Sequence, residues 1–294
     1  MNNVIVDKIK FDELITKYML EPSLVDVYVE GTDDETFYKY HSDNMGLNLR
    51  FVDISTIDFD KDLTLLNLEN NNRDRIIYLL TELNIIVPEN KVYGIIDKDI
   101  IKYTRGFDSL PKNIFTTDFS CLEMYYLCEK NIDKMKILTF HFVTKEEITT
   151  LLNYSANFTH IVIVEKKLNL SIKKISSDKL YQYVDFKNKK VNLENYIRGC
   201  LSASDLAKKY DCFIKHMQVI KKELSSENPI LFINGHIFMN ILTGFISKNK
   251  KFKHIKQEEV CNVYKTSVET SFLEEFDLFT KLKGINKNME KSDT

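Results

Sequence analysis

Apolar positions recur along this chain first with alternating helix and strand periods, then with helical periods alone. From Lys8 to Met19 they share one helical face, and Pro22 ends that segment before an apolar run, Leu24 to Glu30, of strand character. A helix is expected from about Asp33 to Met45 and a strand over Leu49 to Ser55. The helical spacing of "NRDRIIYLLTELNII" (Asn72 to Ile86) stops at Pro88, and "KVYGIID" (Lys91 to Asp97) reads as a buried strand. A loop holding Gly106 and Pro111 leads to a short strand, Asn113 to Asp118, and a helix is expected to begin at Ser120. Strands alternating with helices over about the first 130 residues predict an α/β fold with a mainly parallel sheet flanked by helices.

Beyond residue 131 helical patterns dominate, over Lys145 to Leu152, Ser202 to Leu224, Gly235 to Ile246 and Lys256 to Leu282. A lysine-rich stretch from Leu170 to Leu193, expected to contain strand, interrupts them, and the tail from Asn286 is expected to fray. Two domains are therefore expected, 1–130 and 131–294, the second mostly helical.

Composition narrows the class. Of 294 residues 44% are hydrophobic and 29% charged, as in a globular protein, and the formal net charge of −2 exerts no global pull on a polyanion. Five cysteines without a CxxC pair argue for reduced thiols and against a zinc knuckle. The first residues carry acids and lysines where a signal peptide needs an apolar core. The most apolar long stretch, Ile230 to Ile246, is broken by Asn234, His236 and Asn240 and falls short of the ~20 residues of a membrane span. A cytoplasmic location and no membrane association are expected.

The candidate chemistry lies in acids at strand ends, where parallel sheets place their ligands. Glu30 closes the run "VDVYVE", and a carboxylate there is costly to bury unless a cation meets it. In "GTDDE", Thr32 and Glu35 have capping-box spacing, so helix chemistry accounts for Asp33 and Glu35 without any site. Asp97 and Asp99 close the third strand two residues apart, on one side of an extended chain, where a divalent cation would relieve their repulsion. In "TTDFSCLE", Ser120 and Glu123 again have capping-box spacing, and Asp118 reads equally as a helix-entry acid.

Glu-Gly after the first strand and Asp-x-Asp after the third, within Leu24 to about Lys130, resemble the Toprim fold. The pattern Val29, Glu30, Gly31, Asp34, Phe37, Tyr38 is similar to that of the overcoming-lysogenisation-defect (OLD) branch, in particular the AriB-type Toprim effectors of PARIS anti-phage defence. The resemblance implies a Toprim-like catalytic domain over 1–130 and a substrate- or partner-binding domain over 131–294. It implies a nuclease dependent on Mg²⁺ or Mn²⁺, with Glu30, Asp97 and Asp99 catalytic and Asp34 and Glu123 completing the metal shell. It further implies a toxic effector, tRNA as target in preference to DNA, and a partner ABC-type ATPase that restrains the nuclease. A homodimer is plausible on the same ground. The lysine that related nucleases often supply has no secure match, Lys98 and His236 being the nearest candidates.

Polyanion contact is expected from the lysine runs, whose other reading is a solvated face: Lys187, Lys189 and Lys190, and Lys248, Lys250, Lys251, Lys253 and Lys256. The competing function is a non-catalytic subunit of the same fold that binds an ATPase or nucleic acid. Nuclease activity that survives loss of Glu30 or Asp97 would remove the catalytic assignment.

Overall fold

Burial without alternation marks the central strand: all five residues of Val25–Val29 are buried. The computed structural model describes residues 8–59, 63, 68–98, 100–104, 110–175 and 177–292. Its strands are β1 (Ile9–Lys10), β2 (Val25–Val29), β3 (Arg50–Asp53), β4 (Ile57–Asp58), β5 (Lys91–Ile96), β6 (Ile114–Thr116), β7 (Val184–Asp185) and β8 (Lys190–Val191). A parallel sheet runs in the order β3-β2-β5-β6, β1 pairs with β4, and β7 with β8 forms an antiparallel hairpin. The helices are α1 (Phe11–Leu20), α2 (Thr32–Asn44), α3 (Asn72–Ile86), α4 (Ile101–Thr104), α5 (Glu129–Leu138) and α6 (Lys145–Lys167). They continue with α7 (Leu193–Ala203), α8 (Tyr210–Glu223), α9 (Gly235–Ile246), α10 (Gln257–Ser267), α11 (Thr270–Leu273) and α12 (Asp277–Ser292). The chain is thus α/β, with a parallel sheet flanked by helices and a mostly helical C-terminal region, as the hydrophobic pattern predicts.

Packing groups Met1–Asp97, Asp108–Asp118 and Glu269–Thr294 into one unit, and Lys98–Phe107 with Phe119–Val268 into another. The sequence-based boundary at 130/131 differs from this on three counts: the cut falls at 118/119, Lys98–Phe107 groups with the second unit, and the segment from Glu269 joins the first.

Register and ring contacts place the helices of that first unit in two layers. Tyr28 pairs with Gly94, so both face one side; there a Cβ on Gly94 would lie 2.6 Å from Ile76 and 2.9 Å from Leu80 of α3. Phe11 of α1 stacks on Tyr78 of α3 at 5.2 Å between centroids, so α1 and α3 share this side. On the opposite side Tyr38 of α2 packs on Phe51 and on Phe279 of α12. Lys281 of α12 lies over Phe115 of β6. α12 is anchored where fraying was expected: Asn286 is buried and accepts from the Asn48 N–H at 2.8 Å. The carboxylate of Asp118 accepts from the Asp277 N–H (3.1 Å) and the Leu278 N–H (3.4 Å), so it serves the first turn of α12.

Several local predictions change. The first helix starts at Phe11 because Ile9 and Lys10 pair with β4. Instead of a helix from Ser120 there is a 3₁₀ segment, Leu122–Leu127, which extended Cys128 separates from α5. Neither expected capping box forms: Gly31 and Cys121 occupy the N-cap positions. The long helix predicted over Ser202 to Leu224 divides into α7 and α8 around Asp205, whose φ of 57° is left-handed. α6 runs 23 residues, well past Leu152. Its buried hydroxyls, Ser155 and Thr159, donate to the carbonyls of Leu151 and Ser155 at 2.8 and 3.1 Å, so they lie inside the helix at little cost.

Two buried histidines make stability pH-dependent. Burial lowers His41 of α2 from 6.5 to about 4. His160 of α6, stacked on Phe232, falls likewise to about 4 through burial and then the charge of Lys221. The unfolded chain takes up protons at about 6.5 and the folded one only near 4, so stability is whole above pH 6.5 and declines as pH falls toward 4. The loss should be on the order of 3 kcal/mol per histidine. His160→Phe, which keeps the stack, should shrink it in urea unfolding measured across that window; an unchanged pH slope would contradict the assignment.

Candidate functional site

Glu30 lies one residue beyond β2, at the carboxyl end of the sheet, with its side chain 24% exposed. Its Oε1 accepts the Asp97 N–H at 2.9 Å and faces Nε of Arg73 at 3.4 Å. The neighbouring residue of α3, Asn72, donates from its side-chain amide to the Glu30 carbonyl at 2.6 Å. Asn71 explains why α3 begins here: its side chain caps the helix by accepting from the Asp74 N–H at 2.8 Å. The first turn of α3 is thereby fastened to the end of β2, and Arg73 is the cation that meets the half-buried carboxylate.

Arg73 and Asn72 are the residues sequence reasoning missed. The contact spans 43 positions, and Arg73 sits in a helix start with no motif of its own. The polar cluster "ENNNRDR" was the available signal, since asparagines before a helical run mark a capped terminus.

Glu30 and Asp97, from adjacent parallel strands, are brought together at one edge. Asp34 is in the first turn of α2 with Oδ2 3.6 Å from where a Gly31 Cβ would be. Gly31 itself is extended at φ −161°, so the turn does not require glycine. Thr32 donates to Asp53 at 2.8 Å instead of capping α2. Lys98 is half-buried, and Asp99 lies outside the described residues. Among the described residues no three of His, Cys, Asp and Glu gather closely enough to hold a metal ion. What meets at this edge is the Glu30 carboxylate and the Asp97 main chain. Carboxylates at two neighbouring strand ends are hard donors of the kind that Mg²⁺ takes one or two at a time, completing its shell with water and phosphate.

Glu123 belongs to the second unit, where its carboxylate lies against the start of α9. Nδ1 of His236 is 3.6 Å from its Oε1, and a Cβ on Gly235 would be 2.2 Å from its Oε2. Helix-terminal charge therefore occupies Glu123, and His236 is 86% exposed. The lysines at 187, 189, 190, 248, 250, 251, 253 and 256 are all exposed, in and after the β7–β8 hairpin and after α9. Among the described residues no helix is long and apolar enough to cross a membrane.

No protein-family model matches the chain, and no curated protein matches it.

Proposed function

We propose that the chain is a Toprim-type endonuclease that hydrolyses nucleic-acid phosphodiesters with Mg²⁺ or Mn²⁺, tRNA being favoured over DNA. It acts as a toxic effector of anti-phage defence in the cytoplasm, restrained by a partner ABC-type ATPase and active as a homodimer. One observation carries this reading: the Glu30 carboxylate touches the Asp97 main chain across adjacent strand ends at the ligand-binding edge of a parallel sheet.

Glu30 and Asp97 would hold the metal, with Asp34 and Asp99 as the further acids of the motif and Glu123 by resemblance alone. The ion would activate water and offset the charge that builds on phosphoryl oxygens. Arg73 places a fixed positive charge beside Glu30, the role for which the sequence offered only Lys98 and His236. The Asp97 N–H holds one oxygen of the same carboxylate, so its orientation is set before substrate arrives.

The Arg73–Glu30 pair also favours a second reading, because it compensates Glu30 without any metal, as in a non-catalytic subunit that docks an ATPase or nucleic acid. Mapping RNA 5′ ends after brief expression separates the two. The nuclease produces new ends in the wild type, none in Glu30→Gln, and purified protein cuts the same RNA until EDTA is added. Cleavage that persists in EDTA, or identical ends in the variant, would contradict the nuclease reading.

A further inference from the structure

The two lysine runs are some 60 positions apart in sequence, yet within the second unit they meet on one cluster of rings. Phe186, at the tip of the β7–β8 hairpin, has its ring centroid 5.6 Å from that of Phe245 on α9 and 6.5 Å from that of Tyr154 on α6. Lys248 places Nζ 6.0 Å from the Phe186 ring centre. The cluster continues through Phe142 to Phe252, each step 6.0 Å, and Lys251 lies over Phe252 at 5.4 Å. Phe142, Phe186, Phe245 and Phe252 are only half-buried, so the rings are not sealed core.

The hairpin that carries Lys187, Lys189 and Lys190 is held in shape. Asp185 accepts from the N–H groups of Lys187 and Asn188 at 3.1 and 3.0 Å and from the Asn188 side chain at 2.7 Å. Lys189 then takes a left-handed φ of 53° and lines a cavity of about 170 Å³. Phe186, Tyr154 and Phe245 form the apolar wall of that cavity, and Glu146 and Thr150 give it a polar side. Asp185 is held by the turn and Glu147 by the Thr144 cap, so the exposed Lys187, Lys189, Lys190 and Lys248 are the cations available to a backbone phosphate on the hairpin side.

We propose that this cavity receives one unpaired base of a single-stranded nucleic acid, with the flanking phosphates held by lysines from both runs. The inference rests on the nucleic-acid reading above and adds the form of the substrate. Half-exposed rings stack a base that has left its partner, and exposed lysines on either side neutralise the backbone without reading sequence. A base paired in a duplex presents only its edge and cannot enter such a cavity. An acidic protein surface would use the lysines but leave the cavity empty.

The test is fluorescence anisotropy on full-length Glu30→Gln with a short fluorescein-labelled oligo(A), alone and annealed to its complement. The single strand should bind more tightly than the duplex. Adding Phe186→Leu should weaken single-strand binding about tenfold with the salt slope unchanged. Adding Lys189→Asn with Lys248→Ala should reduce the log–log salt slope by roughly 1.4. The lysine pair also tests the surface if Phe186→Leu disturbs packing. Equal duplex and single-strand affinity, no binding at all, or full binding by the Phe186 and lysine variants would each overturn the inference. A single strand bound through Phe186 but left uncut by wild-type protein in Mg²⁺ would count against the nuclease reading alone.

Discussion

Glu30→Gln should lower phosphodiester cleavage by on the order of 10³-fold, the upper range for loss of one preorganised polar group, and leave the fold intact. The substitution is nearly isosteric, and a glutamine oxygen can still accept the Asp97 N–H. What disappears is the negative charge facing Arg73 and any divalent ion. The pair is partly exposed, 20% for Arg73 and 24% for Glu30, so breaking it should cost stability little. Steady-state cleavage of a labelled RNA beside thermal unfolding reads both quantities. A large loss of activity with an unchanged melting temperature is the expected pair of results. A variant that melts earlier and cuts at the wild-type rate would make Glu30 a structural acid.

Asp26→Ala should have the opposite signature, a loss of about 2–3 kcal/mol in unfolding free energy, because a buried donor loses its acceptor. Asp26 is fully buried in β2, yet it carries a carboxylate. The Tyr18 hydroxyl donates to it at 2.6 Å and lies 2.8 Å from the Tyr28 hydroxyl. Arg50 from β3 closes the network, with Nε 2.8 Å from Oδ1. Burial and the neighbouring Tyr28 and Asp26 push the Tyr18 phenol far above its ordinary range; burial also raises Tyr28, so both remain neutral donors. Alanine would remove the acceptor of the buried Tyr18 hydroxyl and the partner of Arg50, which is 54% exposed and can turn to water, whereas removing a single hydroxyl, as in Tyr28→Phe, should cost about 1 kcal/mol. Urea unfolding of the two variants gives the comparison, and equal small losses would show that the network does not act as a unit.

Much of the sheet was legible because each strand is an apolar run bounded by a breaker. Lys91 to Asp97 sits between Pro88 and an acidic turn, and the observed β5 is Lys91–Ile96. Glu30 and Asp97 were legible for the same reason, each being the first charge after such a run. Their cation was not: Arg73 reaches Glu30 only because α3 returns to the carboxyl edge of the sheet. Asp118 illustrates the same limit, since its partners Asp277 and Leu278 are about 160 positions away. Asp26 escaped attention because an acid inside an apolar run has no local partner; Tyr18 and Arg50 come from a helix and the neighbouring strand. In α6 the polar run after Leu152 concealed a helix whose hydroxyls bond back to their own backbone.

The most direct measurement is Mn²⁺ binding by titration calorimetry to wild-type protein, Glu30→Gln and Asp97→Asn. If acids from the two strand ends share an ion, the wild type should bind Mn²⁺ and each substitution should weaken binding at least tenfold, about 1.4 kcal/mol. Equal affinity in all three proteins would mean that Glu30 and Asp97 do not hold a metal together.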